Sequence, residues 1–325
     1  MPVPSILFPA DPLNPRRPDP HFAWEARLIR ELGGENLLVD HDALLAGHAE
    51  AAVRWLPRGC GPLWYRGWML PSARYAEFAA ALTARGGNLL TSPPGYASAH
   101  ELPGWYGVFE GATPPSAWIP TTGALPPTPE ELAEAVARLG GSGPAIVKDY
   151  VKSRKHEWHE ACYLPELADL AAVGRVVRRF VELQGEFLAG GVVLRRYEEF
   201  EREGGPNGAG GPDRNGGDAA VGTGSAGAAG AAGGERRAVE ARVWWLDGRP
   251  VLVGPHPDAP HLQVEPELTE VSALVRRLGC RFVTTDLASR ADGSGWRVVE
   301  VGDGQVSDLP RGIDASGLLA SLIAA

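Results

Sequence analysis

The segment "VKDYVKSRK" (147–155) holds the only three lysines of a 325-residue chain, Lys148, Lys152 and Lys155; the other 28 of its 31 basic residues are arginine. Arginine is the general habit of this sequence, so lysine here marks a place that uses a compact, strongly hydrated charge and not a planar fork. A solvated turn that gathered charge by accident is the competing reading. Immediately upstream, "PAIVKD" (144–149) is rich in β-branched residues and reads as a strand. Lys148 therefore falls inside a strand, where a buried ammonium needs an anionic partner. Downstream, "YVKSRKHEW" (150–158) reads as a polar loop carrying Lys152 and Lys155.

Working outward, the first third alternates short apolar strands with amphipathic helices. "SILF" (5–8), "NLLVD" (36–40), "LWYRG" (63–67) and "NLLTS" (88–92) read as strands, with helices over 21–32 and 73–87 that stop at glycine pairs. Such alternation predicts a parallel sheet with Asp11, Asp40 and Arg66 near the strand ends where ligands collect. Residues 94–128 are rich in Pro, Gly and aromatics and read as a packed connection between lobes. A helix starting at the Thr128 cap opens the next unit, which divides the chain into 1–118 and 119–325. From 203 to 234 almost nothing apolar and large remains, so that insert is expected to lack regular structure. The strand-like segments on either side of it predict an interrupted loop between paired strands, the second of them continuing through an Asp247-Gly248 turn. A helix (267–280), a hairpin (281–304) and a last helix complete the pattern.

Composition narrows the classes. A hydrophobic content of 44% with ten tryptophans is ample for a core. No apolar run reaches membrane-spanning length and no charged leader precedes an apolar signal core, which suggests a cytoplasmic protein. Three dispersed cysteines suit a reducing compartment. A net charge of −9 disfavours a polyanion partner except at a local basic patch.

Two acids close facing strands of the hairpin: Asp286 ends "RFVTTD" and Glu300 ends "GWRVVE", with Asp303 following in "EVGDGQVSD". Carboxylates gathered from adjacent strands suit Mg²⁺ and the phosphate oxygens it binds; turn positions and an arginine pair for Glu300 are the plainer reading. Glu240 and Arg242 share one face of the otherwise apolar strand "VEARVWWL" and are either a salt bridge or a ligand contact. "HEWHE" (156–160) lacks the second histidine of the HExxH zinc pattern. His156 and His159 then read as surface or phosphate-contacting residues, and Trp244-Trp245 as packing.

In order, these are a strand lysine, a basic loop, a second edge strand, a Glu-x-Arg strand and an Asp…Glu hairpin. That order resembles the ATP-grasp superfamily, and more closely a divergent, largely uncharacterised clade with extra Arg and Lys motifs and an "EVGDGQVS" ending. The resemblance covers about 119–325, and 1–118 is similar to the small α/β domain that precedes most ATP-grasp cores. It implies two α+β lobes holding ATP. It implies that Lys148 and Lys152 bind nucleotide, that Lys152 and Lys155 ride on the phosphate loop, and that "VVLRRYEEFE" (192–201) is the adenine hinge with Arg195, Arg196, Tyr197 and Glu198. Glu240 and Arg242 match the acid-x-Arg strand, with Arg242, Lys152 and Lys155 as catalytic cations, and Asp286 and Glu300 match the Mg²⁺ acids. The usual glycine-rich phosphate loop is missing, and phosphate contact would rest on side-chain charge. Where relatives carry Asn two residues after Glu300 this chain has Gly302, leaving Asp303 to supply the third ligand. Arg66 stands in for a first-lobe lysine that has no counterpart. The implied activity is an ATP- and Mg²⁺-dependent ligase joining a carboxylate to an amine of a small molecule or peptide through an acyl phosphate. The alternatives are a phosphotransferase and a nucleotide-binding module without turnover.

Overall fold

The computed structural model describes residues 3–121, 123, 125–204, 237–310 and 312–325. The N-terminal unit runs β1 (Ser5–Asp11), β2 (Asn14–Pro18), α1 (Ala23–Glu31), β3 (Asn36–Val39), α2 (His41–Leu45), α3 (Ala49–Ala52), β4 (Gly61–Tyr65), α4 (Ser72–Thr83) and β5 (Gly87–Leu89). β3, β1, β4 and β5 pair in parallel as the alternation predicts, while β2 folds back antiparallel on the end of β1. The aromatic-rich connection is more regular than its composition suggested: Ser92 caps α5 (Pro93–His100), and α6 (Leu102–Phe109) follows. Proline in the first turn of each helix fits there, because those N–H groups have no partner within the helix.

The first lobe contains β6 (Ser116–Pro120), α7 (Pro129–Arg138), β7 (Ala145–Asp149), β8 (Tyr163–Leu164), α8 (Leu170–Gln184) and β9 (Gly191–Arg196), with its sheet in the order β6-β9-β7-β8. β6 spans the 118/119 division drawn from sequence and pairs with β9, so the lobe begins a few residues earlier than that division. Thr128 and Glu131 form the capping box of α7.

The second lobe contains β10 (Glu240–Leu246), β11 (Arg249–Pro255), α9 (Thr269–Leu278), β12 (Phe282–Ser289), β13 (Trp296–Asp303) and α10 (Ser316–Ala324), with its sheet in the order β11-β10-β12-β13. The β10–β11 hairpin turns at Asp247 (φ 49°) and Gly248 (φ 74°), a pair of left-handed residues suited to a two-residue turn. The expectation that the strands flanking the insert pair with each other is corrected: β9 and β10 belong to different sheets. Among the described residues, a short bridge from Arg202 to Ala238 joins the two sides of the insert. The Gly/Ala-rich stretch from 205 to 236 lies outside the described residues.

The second sheet separates its faces by the period-2 rule. Ala241, Val243, Trp245, Val283, Leu287 and Val301 pack with α5, α6 and α9 in one core. On the opposite face, Trp244, Leu246 and Phe282 pack against Ile6, Phe8, Trp64 and α10, which fuses the N-terminal unit to the second lobe. Further along that same face the residues are charged, and there the first lobe faces it across a cleft.

Candidate functional site: a charged cleft between the two lobes

Strand pairing builds the second-lobe side of the cleft: Glu240 lines it, while Arg242, Asp286 and Glu300 stand in the charged row beside it, outside its lining. Arg242 on β10 sits opposite Asp286 on β12, and Asp286 opposite Glu300 on β13, which places the three in one row on one face. Glu240 is two residues before Arg242 on the same face. A bulge between Asp286 and Leu287 interrupts the ladder at that row, a device that re-aims side chains beside a site. Arg242 grips Asp286 with both arms of its fork, Nε to Oδ1 at 2.7 Å and Nη2 to Oδ2 at 2.8 Å. Burial opposes both charges, but each stabilises the other, so the Arg242 pKa rises and the Asp286 carboxyl is held well below the usual range.

The other wall comes from the first lobe. Register places Ile146 opposite Arg195 and Lys148 opposite Val193, so Lys148 and Arg195 share the cleft face of that sheet. Asp149 points to the other side, where its carboxylate accepts from the N–H groups of Val151, Lys152 and Ala189 and from Gln184 Nε2. That knot fixes the turn after β7. Lys148 is 2% exposed and, among the described residues, makes no ion pair or side-chain hydrogen bond. Burial lowers its pKa, with Glu300 across the cleft as the largest opposing influence. Arg195, 4% exposed, donates from Nη2 to Thr113 Oγ1 (2.7 Å) and the Val299 carbonyl (2.9 Å), while its buried Nη1 has no hydrogen-bond partner among the described residues. Burial pushes the guanidinium down to about 10.

The cleft spans about 600 Å³ including the open space at its mouth. Lys148, Lys155, Arg195, Arg196, Tyr197, Glu198 and Glu240 all line it. Trp158 also lines it, stacked on Tyr163 (centroids 5.1 Å apart) with Tyr197 edge-on. The basic loop is folded into short helical turns over Lys155–Cys162, and Lys155 Nζ lies 4.0 Å from Asp258 of the second lobe. Glu198 is paired with Arg297.

Other expected residues fall elsewhere. Lys152 is exposed and outside the cleft lining. His156 and His159 are exposed, and Glu160 pairs with Arg179. Asp303 is corrected as a third metal ligand: it lies three residues from Glu300 with no bulge between, so it points to the opposite face. There it accepts from Gln305 N (2.8 Å) and Gln305 Nε2 (3.0 Å), and burial raises its pKa to about 7. Among the described residues no group of three or more His, Cys, Asp or Glu is placed to hold a metal ion. Arg66 is likewise corrected. It is buried against Glu25 (2.7 and 2.8 Å) and three carbonyls of 304–307, away from the cleft lining. Sequence reasoning missed His256, whose Nε2 lies 3.0 Å from Arg242 Nη2; its only signal was a lone histidine between prolines after a strand.

Residues 138–322, more than half of the chain, match the ATP-grasp domain of the R(2)K clade, family 3. The chain belongs to that family. Its fold is similar to the D-cycloserine synthetase DcsG (TM-score 0.58, 15% identity, 98% of each chain covered). It is also similar to a RimK-domain ATP-grasp protein of Sphaerobacter thermophilus (0.55, 12%, covering 99% of this chain and 100% of that one). A third likeness is the D-alanine–D-alanine ligase of Bacillus anthracis complexed with ATP (0.50, 13%, 98% and 94%). At these identities the likeness establishes the ATP-grasp fold. No curated protein sequence matches the chain. Among the described residues of this ATP-grasp protein no helix is long and apolar enough to cross a membrane.

Proposed function

We propose that this ATP-grasp protein binds ATP between its lobes and joins a carboxylate to an amine through an acyl phosphate, releasing ADP and phosphate. The observation that carries this reading is Lys148. A chain does not retain a buried ammonium without an ion partner for stability, because an uncompensated buried charge is destabilising. With the open Nη1 of Arg195 in the same cleft, it makes a site for an anion. The fold and the ligases among its structural neighbours support a nucleotide phosphate as that anion.

In this reading Tyr197, Glu198 and the Trp158–Tyr163 stack surround the base. Lys148 and Arg195 meet the first phosphates, Lys155 and Arg242 the last. Asp286 and Glu300, opposite one another on β12 and β13, would hold a Mg²⁺ ion once the Arg242 fork releases Asp286. Such an ion supplies charge neutralisation during phosphoryl transfer. The chain's own residues position the carboxylate against the terminal phosphate and stabilise the charge that develops, so no dedicated base is required for the first step. The amine then attacks the acyl carbon, the C–N bond forms, and the C–O bond to phosphate breaks.

The test is in two stages. The protein should bind the ATP analogue AMPPNP with Mg²⁺, and Lys148→Ala and Glu300→Ala should each weaken that binding; variants as tight as the parent sink the site. With ATP, Mg²⁺, hydroxylamine and a panel of carboxylates, ADP release with a hydroxamate supports the ligase. ADP with a phosphorylated acceptor and no hydroxamate would make it a kinase instead.

A further inference from the structure

Along one face of β10 the residues change neighbours step by step. Glu240 lines the cleft, Arg242 stands beside it, and Trp244 packs with Ile6, Phe8 and Trp64 of the N-terminal unit. Arg242 is therefore at the boundary between the cleft and the junction of the second lobe with the N-terminal unit. Its Nη1 donates to the Asp308 carbonyl (3.4 Å). The carboxylate of that same Asp308 meets His21 of the N-terminal unit, Oδ1 to Nε2 at 2.9 Å. Nucleotide binding uses Arg242 and leaves the His21–Asp308 pair beyond it without a role.

The ring of His21 is held in place. Asp19 Oδ1 accepts from its backbone N–H (2.8 Å), and Asp19 Oδ2 accepts from Trp68 Nε1 (3.2 Å). The imidazole packs on Trp68 (centroids 4.5 Å apart) and meets Phe22 edge-on at 4.7 Å. Its side chain is 39% exposed, and among the described residues Nδ1 has no hydrogen bond. As a surface ion pair it would contribute little to stability. As a dyad it has a second property: a carboxylate on one ring nitrogen leaves the other as an acceptor and stabilises the imidazolium that forms when it takes a proton. The Asp308 hydrogen bond, with the charges of Asp308, Glu25 on α1 and Asp19, raises the His21 pKa above the usual 6.5 against the opposing effect of burial. Arg66, which lies over Phe22, is committed to Glu25.

We propose that this junction is the amine site of the ligase, and that His21 is the general base that takes a proton from a primary amine arriving as its ammonium. Asp308 is the positioning residue that orients it. The proposal rests on the ligase reading above. The acids around His21 attract an ammonium and repel a carboxylate, which assigns the amine and not the carboxylate to this side of Arg242. In the step, an N–H bond of the ammonium breaks and its proton passes to Nδ1. The freed electron pair forms the C–N bond with the acyl carbon, and the C–O bond to phosphate breaks with its pair leaving on phosphate. The imidazolium then returns its proton to solvent at the exposed edge of the ring.

Hydroxylamine isolates this step, because it is uncharged at neutral pH and needs no base to free its electron pair. ADP release is measured with ATP, Mg²⁺ and the carboxylate that gives a hydroxamate. One arm uses hydroxylamine, the other glycinamide, ethanolamine and putrescine, all cationic at neutral pH. His21→Gln keeps a donor for Asp308 but has no titrating base; it should lose about 100-fold in kcat with the amines and only about threefold with hydroxylamine. The parent's kcat with the amines should fall as pH drops through the His21 pKa, and that limb should be absent in His21→Gln. Asp308→Asn should lose about tenfold and move the limb to lower pH, since the partner that raises the pKa is gone. Equal losses with both nucleophiles would mark His21 as merely structural and overturn the proposal. So would unchanged amine rates, or an acid limb that persists, in His21→Gln. A parent that forms the hydroxamate but no amide with any of the three amines would overturn the junction as a primary-amine site. A parent that forms no hydroxamate with any carboxylate would bring down the ligase reading itself, a distinct result.

Discussion

The two walls of the cleft carry charge in opposite ways. On the first lobe, Lys148 and Arg195 are buried cations whose pKa values are lowered by burial; among the described residues one has no ion pair and the other keeps a nitrogen without a hydrogen bond. On the second lobe, Arg242 is as deeply buried, but its pKa is raised, because Asp286 meets both arms of its fork. The first wall is strained until an anion arrives, and the second is satisfied until something displaces its partner. Ligand affinity should therefore be concentrated on the first wall and folding stability on the second.

Substitution separates the two. Arg242→Ala leaves the Asp286 carboxylate buried without the guanidinium fork and should destabilise the protein by about 3–5 kcal/mol in urea unfolding. Lys148→Met removes a desolvated charge, keeps most of the volume, and should raise the unfolding midpoint of the nucleotide-free protein. The same variant should bind AMPPNP about 100-fold more weakly, since a charge-assisted contact to phosphate is lost. If Lys148→Met destabilises as Arg242→Ala does, the contrast between the walls is wrong. Arg195→Met should lie between them, losing about tenfold for AMP and little for adenosine, which lacks the phosphate.

What the sequence revealed follows the same line. Lys148, Glu240, Arg242, Asp286 and Glu300 sit in strands, where alternation and hairpin spacing fix which face a residue takes, so the face of each was legible. Asp303 was misplaced because its assignment rested on nearness in sequence to Glu300, and in a strand an offset of three reverses the face. His256 and Trp158 were not legible: His256 reaches Arg242 from the loop after β11, where its N–H is held by the Glu240 carbonyl, and Trp158 lines the cleft from the short turns after β7, and neither path follows from strand alternation. The α5–α6 pair was missed for a compositional reason. Its prolines stand in the first turns of helices, whereas they read as loop when counted across the segment.

Asp303 offers a smaller test of the same comparison, since it is charged on neither wall. Its folded-state pKa is raised from 3.8 to about 7 by burial, so the folded protein holds that proton more tightly than the unfolded chain. The stability it confers is complete below the unfolded value and is lost as pH rises through about 7. Asp303→Asn, which cannot ionise, should gain about 2 kcal/mol on the parent between about pH 5 and pH 8 in urea unfolding. Its Mg²⁺-dependent AMPPNP affinity should stay within about twofold of the parent, whereas Glu300→Gln should lose about tenfold or more. A loss in Asp303→Asn as large as in Glu300→Gln would return Asp303 to the metal site.

The smallest expected effect concerns Lys152, which shares a nine-residue segment with Lys148 but not its environment. Lys152 is exposed, while Lys155, three residues on, lines the cleft as Trp158 does. An exposed ammonium acts on a phosphate only through solvent, so its influence is screened beyond about 8–10 Å at physiological ionic strength. Lys152→Ala should therefore shift AMPPNP affinity less than about twofold at about 0.15 M salt and somewhat more at about 0.01 M, where the screening length is near 30 Å. Lys155→Ala should weaken binding at both ionic strengths, because a cation at the cleft wall is only partly screened. Equal, salt-independent losses at the two positions would mean that Lys152 swings into the cleft when nucleotide binds. The turn knotted by Asp149 would then be the moving part of the first wall.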